Sequence, residues 1–486
     1  MSSSSSIKKN FVLNMIYTVS GIIFPLITFP YAARILFADG IGLVNFYGSV
    51  IEYIILLTSI GLPLYAIREI ARVREDKTQM PKTVTEILLL HSLLSGLGYL
   101  IVFILISTVT KIQSDISLFL LLSLSIFFKS IGVEWFYNGI EDFKYITIRS
   151  VIVRVLSLIA LFVFVKERDD LFYFAAISVM GSVGSNIFNF FRLRKYIDIS
   201  CIRLKELNIR RHLKPALKVF MLNLVISLYI NLDTVMLGFL NDDTDAVGYY
   251  SASTRITRTL IGVISSLGVV LLPRLSNLVI NKKMDEFRAI LRKTINFIIA
   301  ISLPFMVGLI FMASPIIHLF CGDGFEPSIL TLQIMAPIVL FISISAIYNM
   351  QVLYSLGKEK LAIISTSVGA TLSLILNFIL IPYYSQYGAA FSTLIAELVV
   401  VIMAIILGGK YHPINIFSRE KMHYFIATLI VAVLLLFLKY SGMGEIAYLI
   451  TGMVVSIIAY FTYLVAVKDD MTMSVLKSCA KFLRLH

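Results

Sequence analysis

Fourteen apolar stretches, each long enough to cross a bilayer as a helix, follow one another along this chain with short polar connections between them. They fall at 11–36, 41–66, 84–110, 115–139, 145–165, 171–196, 215–240, 247–275, 287–313, 328–355, 360–382, 386–409, 422–440 and 445–467. Within a bilayer every backbone polar group needs an internal partner, which makes the helix the natural solution for each stretch. The composition agrees: 15% of the residues are charged and 58% hydrophobic, where a soluble domain carries about 25% charged residues. The expected fold is therefore all-α, a polytopic membrane protein with fourteen transmembrane helices.

The basic residues test that count independently of hydropathy. When the connections are numbered alternately, 33 of the 42 Lys and Arg fall in or beside one set, which includes both termini. The other set holds Arg34, Lys111, Lys166, Arg168 and Lys439, and Lys129, Arg154, Arg255 and Arg258 lie within the stretches. A miscounted helix would scramble this alternation, so both termini are expected in the cytoplasm. The net charge of +13 then reflects topology, and no nucleic-acid partner is expected. Lys8 and Lys9 precede the first stretch as in a signal peptide, but its length and the lack of a small-residue cleavage pattern predict a retained helix. Cys201 and Cys479 map to the cytoplasmic side and Cys321 to the other, so no disulfide framework is expected.

No outer connection is long enough for an appended catalytic domain of the usual ~50 or more residues, so function has to reside between the helices. The longest cytoplasmic connection, 197–214, is basic and reads as amphipathic. It follows six stretches and divides the chain into a first six-helix bundle, 1–196, and a second, 215–409, with two further helices and a tail at 410–486. An internal echo supports the division: a shift of 206 residues places Gly42 on Gly248, Asn45 on Ser251, Ser49 on Arg255 and Glu52 on Arg258. Such repeats are how many transporters are built. Gly388 opens its helix in the same way and leads to Glu397. Prolines at 25, 30, 63, 273, 304 and 337 are expected to kink or bend their helices.

A charge inside the bilayer costs roughly 3 kcal/mol or more at its centre, so such residues usually face water, a partner or a substrate. Arg255 and Arg258 stand three apart, on one helix face, and guanidinium is the side chain best shaped for phosphate. With a rise of ~1.5 Å per residue, Asp233 lies ~10 Å and Arg255 ~12 Å from the outer surface, while Glu52 and Arg258 are each ~16 Å deep. Two pairings match in depth: Asp233 with Arg255, as a static pair or part of a site, and Glu52 with Arg258, as a gate between halves. Arg34, Arg154, Arg255 and Arg258 are thus the expected substrate-binding cations, and Glu52, Asp233 and Glu397 the expected gating or ion-coupling acids. Lys129 and Glu134 are expected to snorkel to the cytoplasmic surface.

Other chemistries find no footing. His91 and His318 have no partners at metal-ligand spacing, no G-x-S-x-G elbow occurs, and Gly408-Gly409-Lys410 continues with Tyr411 and not with a phosphate loop. No cofactor or metal is expected, and the chain is not expected to be an enzyme. Tyr249, Tyr250, Tyr383, Tyr384 and Tyr387 sit at outer helix ends and read as an aromatic belt.

Several stretches together resemble the Wzx-type polysaccharide flippases of the multidrug/oligosaccharidyl-lipid/polysaccharide exporter superfamily. They are F-P-Y-A-A-R-I-L at 29–36 with G-I-G-L-V-N-F at 40–46, E-W-F-Y-N-G-I-E-D-F-K-Y-I-T-I-R at 134–149, N-L-D-T-V-M-L-G at 231–238 with V-G-Y-Y-S-A at 247–252, and Y-G-A-A-F-S-T-L-I-A-E at 387–397. The resemblance implies two six-helix bundles around a central cleft plus two C-terminal helices, in a bacterial cytoplasmic membrane. It implies an undecaprenyl-pyrophosphate-linked oligosaccharide as cargo, for O-antigen or capsule synthesis, and places Arg34, Glu52, Asp233, Arg255 and Arg258 in the cleft. A polysaccharide polymerase and a chain-length regulator are the implied partners. Two other readings compete: an ion-coupled drug antiporter, which would favour acidic residues in its site, and a membrane polymerase, ligase or glycosyltransferase, which would need a sizeable loop or catalytic domain.

Overall fold

The computed structural model describes residues 4–197, 207–411 and 418–474. Half of the basic connection 197–214, the stretch 198–206 with Cys201, lies outside the described residues, as does Cys479. Almost every described residue is helical and none is in a strand. Among the described residues nine helices are long and apolar enough to cross a membrane, and the bent pair Arg168–Gly184 and Asn186–Leu193 makes a tenth. Two of the nine contain a break that separates neighbouring apolar stretches: Ser4–Ser59 breaks at Phe37 (φ 54°) and Glu359–Gly409 at Ser385 (φ 49°). Both breaks are non-glycine residues with positive φ, a conformation that costs of order 1–3 kcal/mol and is retained where the surrounding packing fixes it. The number fourteen itself rests on hydropathy and the charge alternation.

The chain forms two compact units, Met1–Gly248 and Tyr249–His486. The first holds the broken helix Ser4–Ser59, then Leu62–Val73, Gln79–Thr108, Ile116–Ile131, Glu134–Gly139, Phe143–Phe164, the bent pair, and Arg210–Leu240. The second stretch is shorter than expected. It ends at Ser59 because Gly61 turns left-handed (φ 67°) and Pro63 opens a separate helix in its first turn. Proline fits there because that position has no hydrogen bond to lose, so Pro63 begins a helix and does not bend one. The sixth stretch is bent by a wide π-helical turn at Met180–Gly184, which hydropathy does not reveal.

The interior of this unit at one end is a cluster of Leu62, Ile70, Ile87, Trp135, Phe136 and Tyr137 with Ile146, Leu193 and Ala216. Two of its buried polar groups are met as burial favours: the Tyr137 hydroxyl donates to the Asn189 carbonyl at 2.8 Å and the Asn189 amide to the Gly132 carbonyl, while Trp135 Nε1 and Asn189 Oδ1 make no hydrogen bond.

The 206-residue echo is realised as a reciprocal backbone contact inside the first unit. A Cβ on Gly42 would stand 1.9 Å from the Thr244 carbonyl oxygen, and a Cβ on Gly248 2.0 Å from the Ala38 carbonyl oxygen. The four positions are related by the same shift, 38 to 244 and 42 to 248. The two helix starts therefore pack backbone to backbone, which only glycine allows.

The helix Asp245–Ile280 begins in the first unit and continues into the second from Tyr249; it is followed there by Met284–Phe311, Ala313–Cys321, Pro327–Met335, Ile338–Ala346, a π-helical segment Ile347–Tyr354, the broken helix Glu359–Gly409, and the last pair Arg419–Lys439 and Glu445–Ala466. That last pair is fastened to Met284–Phe311: Tyr460 donates to the Ala300 carbonyl at 2.6 Å and Tyr448 to the Phe311 carbonyl at 3.3 Å. Tyr250, expected in an aromatic belt, is buried (1% exposed) with its hydroxyl 3.2 Å from that of Thr393, while Tyr383 and Tyr384 are exposed as a belt requires. The difference follows from position. Tyr250 is on the turn that enters the helix packing, whereas the other two border the break at Ser385.

Candidate functional site

The segment 134–149 shows how sequence becomes a polar centre in the first unit. Asp142 caps the helix Phe143–Phe164 by accepting from the Tyr145 amide at 3.3 Å. Its other oxygen accepts from Arg192 Nη2 at 2.9 Å, and the Arg192 guanidinium lies 3.8 Å from the Tyr145 ring centre. Two turns into the same helix Arg149 is 7% exposed, with Nη2 donating to Ser150 at 3.0 Å and standing 3.9 Å from Glu134. Its Nε and Nη1 make no hydrogen bond. Removing Asp142 strips both the cap and the partner of Arg192. Asp142→Ala should cost about 2 kcal/mol, since a cap contributes ~0.5–2 and a charged hydrogen bond ~1.5–3, while Asp142→Asn should cost less. Thermal unfolding in detergent checks the order.

Glu134 and Lys129, expected to snorkel to the cytoplasmic surface, each meet a side chain of the first unit. Glu134 accepts from the Tyr17 hydroxyl at 2.8 Å, and Lys129 Nζ meets both carboxylate oxygens of Glu52 at 3.1 and 3.0 Å. Glu52 is thereby engaged by a neighbour within its own unit; depth alone had matched it to Arg258. Opposite charges in a membrane lower their mutual cost most when the nearest flexible partner is taken, and the lysine stem supplies that reach. Because a third to a half of each side chain is exposed (34% and 49%), Lys129→Met should cost only about 1 kcal/mol. The exchange Glu52→Lys with Lys129→Glu should restore most of it, and a double-mutant cycle on unfolding temperature tests this.

The remaining expected residues fall as follows. Arg154 is half-buried and tied to the first helix: Nη1 donates to the Tyr17 carbonyl at 2.9 Å and to Ser20, and the guanidinium lies 5.1 Å from the Tyr17 ring centre. That set of contacts holds helices together. Arg34 is exposed on the first helix; Asp233 is buried at 4% exposure within electrostatic reach of Tyr53; Glu397 is buried at 5%. On the helix Asp245–Ile280, Arg255 is half-buried and Arg258 exposed.

Sequence reasoning missed Arg149 and Arg192, which the positive-side count absorbed as topology, and it missed Asp142 and Glu86. That carboxylate is fully buried, accepts from the Asn208 amide at 2.7 Å and from Arg211 Nε at 2.8 Å, and lies 2.9 Å from His212 Nε2. A lone Glu at the start of an apolar stretch was the only signal. His318 meets Glu445 at 2.6 Å, and among the described residues no three His, Cys, Asp or Glu side chains gather as a metal site.

Residues 7–279 match the family described as polysaccharide biosynthesis protein. The chain belongs to that family. Residues 219–379 also match the MatE family. A relative in Escherichia coli (strain K12), described as "Putative O-antigen transporter", is 25% identical over 401 residues, covering 81% of this chain and 95% of that protein. Among solved structures, lipid II flippase MurJ in an inward closed conformation has a TM-score of 0.78 at 17% identity, covering 95% of this chain and 99% of that one. A multidrug resistance MATE family transporter in an inward-facing conformation has a TM-score of 0.63 at 15% identity, covering 80% and 94%. These likenesses establish for this family member the helical transporter fold shared by the flippase and the MATE protein.

Proposed function

We propose that this chain is a flippase, moving undecaprenyl-pyrophosphate-linked oligosaccharide repeat units from the cytoplasmic to the outer leaflet by alternating access, for O-antigen or capsule synthesis. The observation that carries the reading is the similarity to the Escherichia coli protein along nearly its whole length, within a family of polysaccharide biosynthesis proteins. Residue chemistry agrees with it: the pyrophosphate is an anion, and exposed Arg258 with Arg255 one turn before it offers two guanidiniums on one helix. Arg34 adds a third cation, and Glu52, Asp233 and Glu397 are the acids available for gating or ion coupling. The bundles 1–196 and 215–409 are the moving halves in this reading, with 410–486 as two added helices and a tail. The protein resides in a bacterial cytoplasmic membrane with both termini inside, supplying a polymerase and chain-length regulator on the other face.

An ion-coupled drug antiporter is the second reading, favoured by the MatE match. A site for cationic drugs calls for carboxylates, and the Arg255–Arg258 pair works against it. The experiment is reconstitution in vesicles with a lipid-linked oligosaccharide and measurement of its movement between leaflets with and without ion gradients. Protein-dependent movement is expected. Its absence under every gradient, together with transport of a cationic dye, would reverse the assignment.

A further inference from the structure

Outside the residues assigned to cargo, one concave surface on the first unit joins an apolar groove to a basic end. A cavity of about 930 Å³ lies between the helix Phe143–Phe164 and the bent pair that ends at Leu193. That is toward the upper end of the ~300–1,000 Å³ typical of ligand pockets. Ile148, Ile152 and Leu156 recur every four residues along one wall, and Phe188 and Phe191 stand on the other, all between 47% and 59% exposed.

Any lipid-facing helix exposes apolar side chains, but three features set this surface apart. It is a hollow and not a convex face, because the π-helical turn at Met180–Gly184 bends the second wall. Two arginines, Arg149 and Arg192, line it together with Tyr145, and no acidic residue does. Arg149 is also 93% buried while two of its guanidinium nitrogens make no hydrogen bond within the protein, and Glu134 at 3.9 Å offsets its charge without supplying a hydrogen bond, which leaves the burial cost of those nitrogens uncompensated. The polar end lies near the start of Phe143–Phe164 and the end of Asn186–Leu193, beside Lys144, Arg194 and Lys195. That is the side which the charge alternation assigns to the cytoplasm, where basic pockets between helices hold anionic lipid headgroups.

We infer that this groove binds one anionic glycerophospholipid of the cytoplasmic leaflet, its phosphate held by Arg149 and Arg192 and its acyl chains laid along Ile148, Ile152, Leu156, Phe188 and Phe191. From outside the hollow Asp142 meets Arg192 at 2.9 Å and Glu134 stands 3.9 Å from Arg149, so what the phosphate adds is hydrogen-bond acceptors for the two Arg149 nitrogens that have none. The site is separate from the arginines proposed for the cargo, and it sits on the first unit alone.

Native mass spectrometry of the delipidated full-length protein, titrated with phosphatidylglycerol, phosphatidylcholine or undecaprenyl phosphate, tests it. One phosphatidylglycerol should be retained with at least tenfold preference over phosphatidylcholine. Arg149→Gln should reduce that preference at least tenfold, and Arg149→Lys should keep part of it. Because Arg149 lies in the packed interior, a second variant leaves the charges alone: Ala160→Phe with Ala176→Phe fills the hollow and should also lose the bound lipid while the protein stays monodisperse. Equal retention of the two phospholipids, or a preference unaltered in the hollow-filling variant, would overturn the site. Undecaprenyl phosphate displacing phosphatidylglycerol at equal concentration would overturn the occupant.

Discussion

Gly42→Val is expected to abolish recovery of folded protein, and Gly42→Ala to cost about 2 kcal/mol, in the range of overpacking a tight interior. A Cβ at this position stands 1.9 Å from the Thr244 carbonyl oxygen, 2.8 Å from its carbon and 2.9 Å from the Gly248 amide nitrogen. All three are backbone atoms, so no flexible side chain can swing aside; one helix start has to move away from the other. Gly248→Ala should behave alike, with its Cβ 2.0 Å from the Ala38 carbonyl oxygen. Both substitutions separate the same two backbones, so Gly42→Ala with Gly248→Ala should cost less than the sum of the single variants. Gly48→Ala is the control: nothing lies within 4 Å of its Cβ, and it should be neutral or slightly stabilising as a helix residue. Unfolding temperature and monodispersity in detergent give the readout. Additive costs at 42 and 248 would mean that the two glycines answer to different constraints.

Arg258→Ala is expected to lower the initial rate of lipid-linked oligosaccharide movement by ~10–100-fold, the equivalent of losing a charge-assisted hydrogen bond to phosphate of ~1.5–3 kcal/mol. The residue is exposed on its helix, so truncation removes a donor fork without opening a packed interior, and membrane insertion should be unchanged. Arg258→Lys keeps the charge but not the planar pair of donors, and should recover only part of the rate. Arg255→Ala should also show an effect on stability, because Arg255 is half-buried. A wild-type rate in Arg258→Ala would remove this residue from the cargo path, and full recovery in Arg258→Lys would reduce its role to charge alone.

The reading of the charges shows where sequence is informative and where it stops. Depth along a helix follows from residue counting, so Glu52 and Arg258 could be placed at one level. Rotation about the helix axis and the identity of neighbours do not follow from counting. Those decided that Glu52 meets Lys129 and that Arg154 is bound to Tyr17 and Ser20. Arg149 and Arg192 were indistinguishable in the string from the positive charges that merely set orientation. Only the hollow beside them, made by a π-helical bend, marks them as a pair with something to bind.

By itself the sequence determined the helical membrane class, the short connections, the likeness of Gly42 to Gly248 and the family motifs. These are local properties: apolar run length, charge bias and glycine spacing are written in consecutive residues. Tertiary structure alone decided that the echo is a reciprocal backbone contact, that Pro63 starts a helix, that Tyr250 is buried, and which carboxylate each cation meets. Most of those outcomes depend on residues far apart in the chain, such as Glu52 and Lys129, 77 positions apart, or Ala38 and Gly248, 210 positions apart. In a membrane, where apolar burial distinguishes helix faces weakly, close packing and charge pairing select among neighbours.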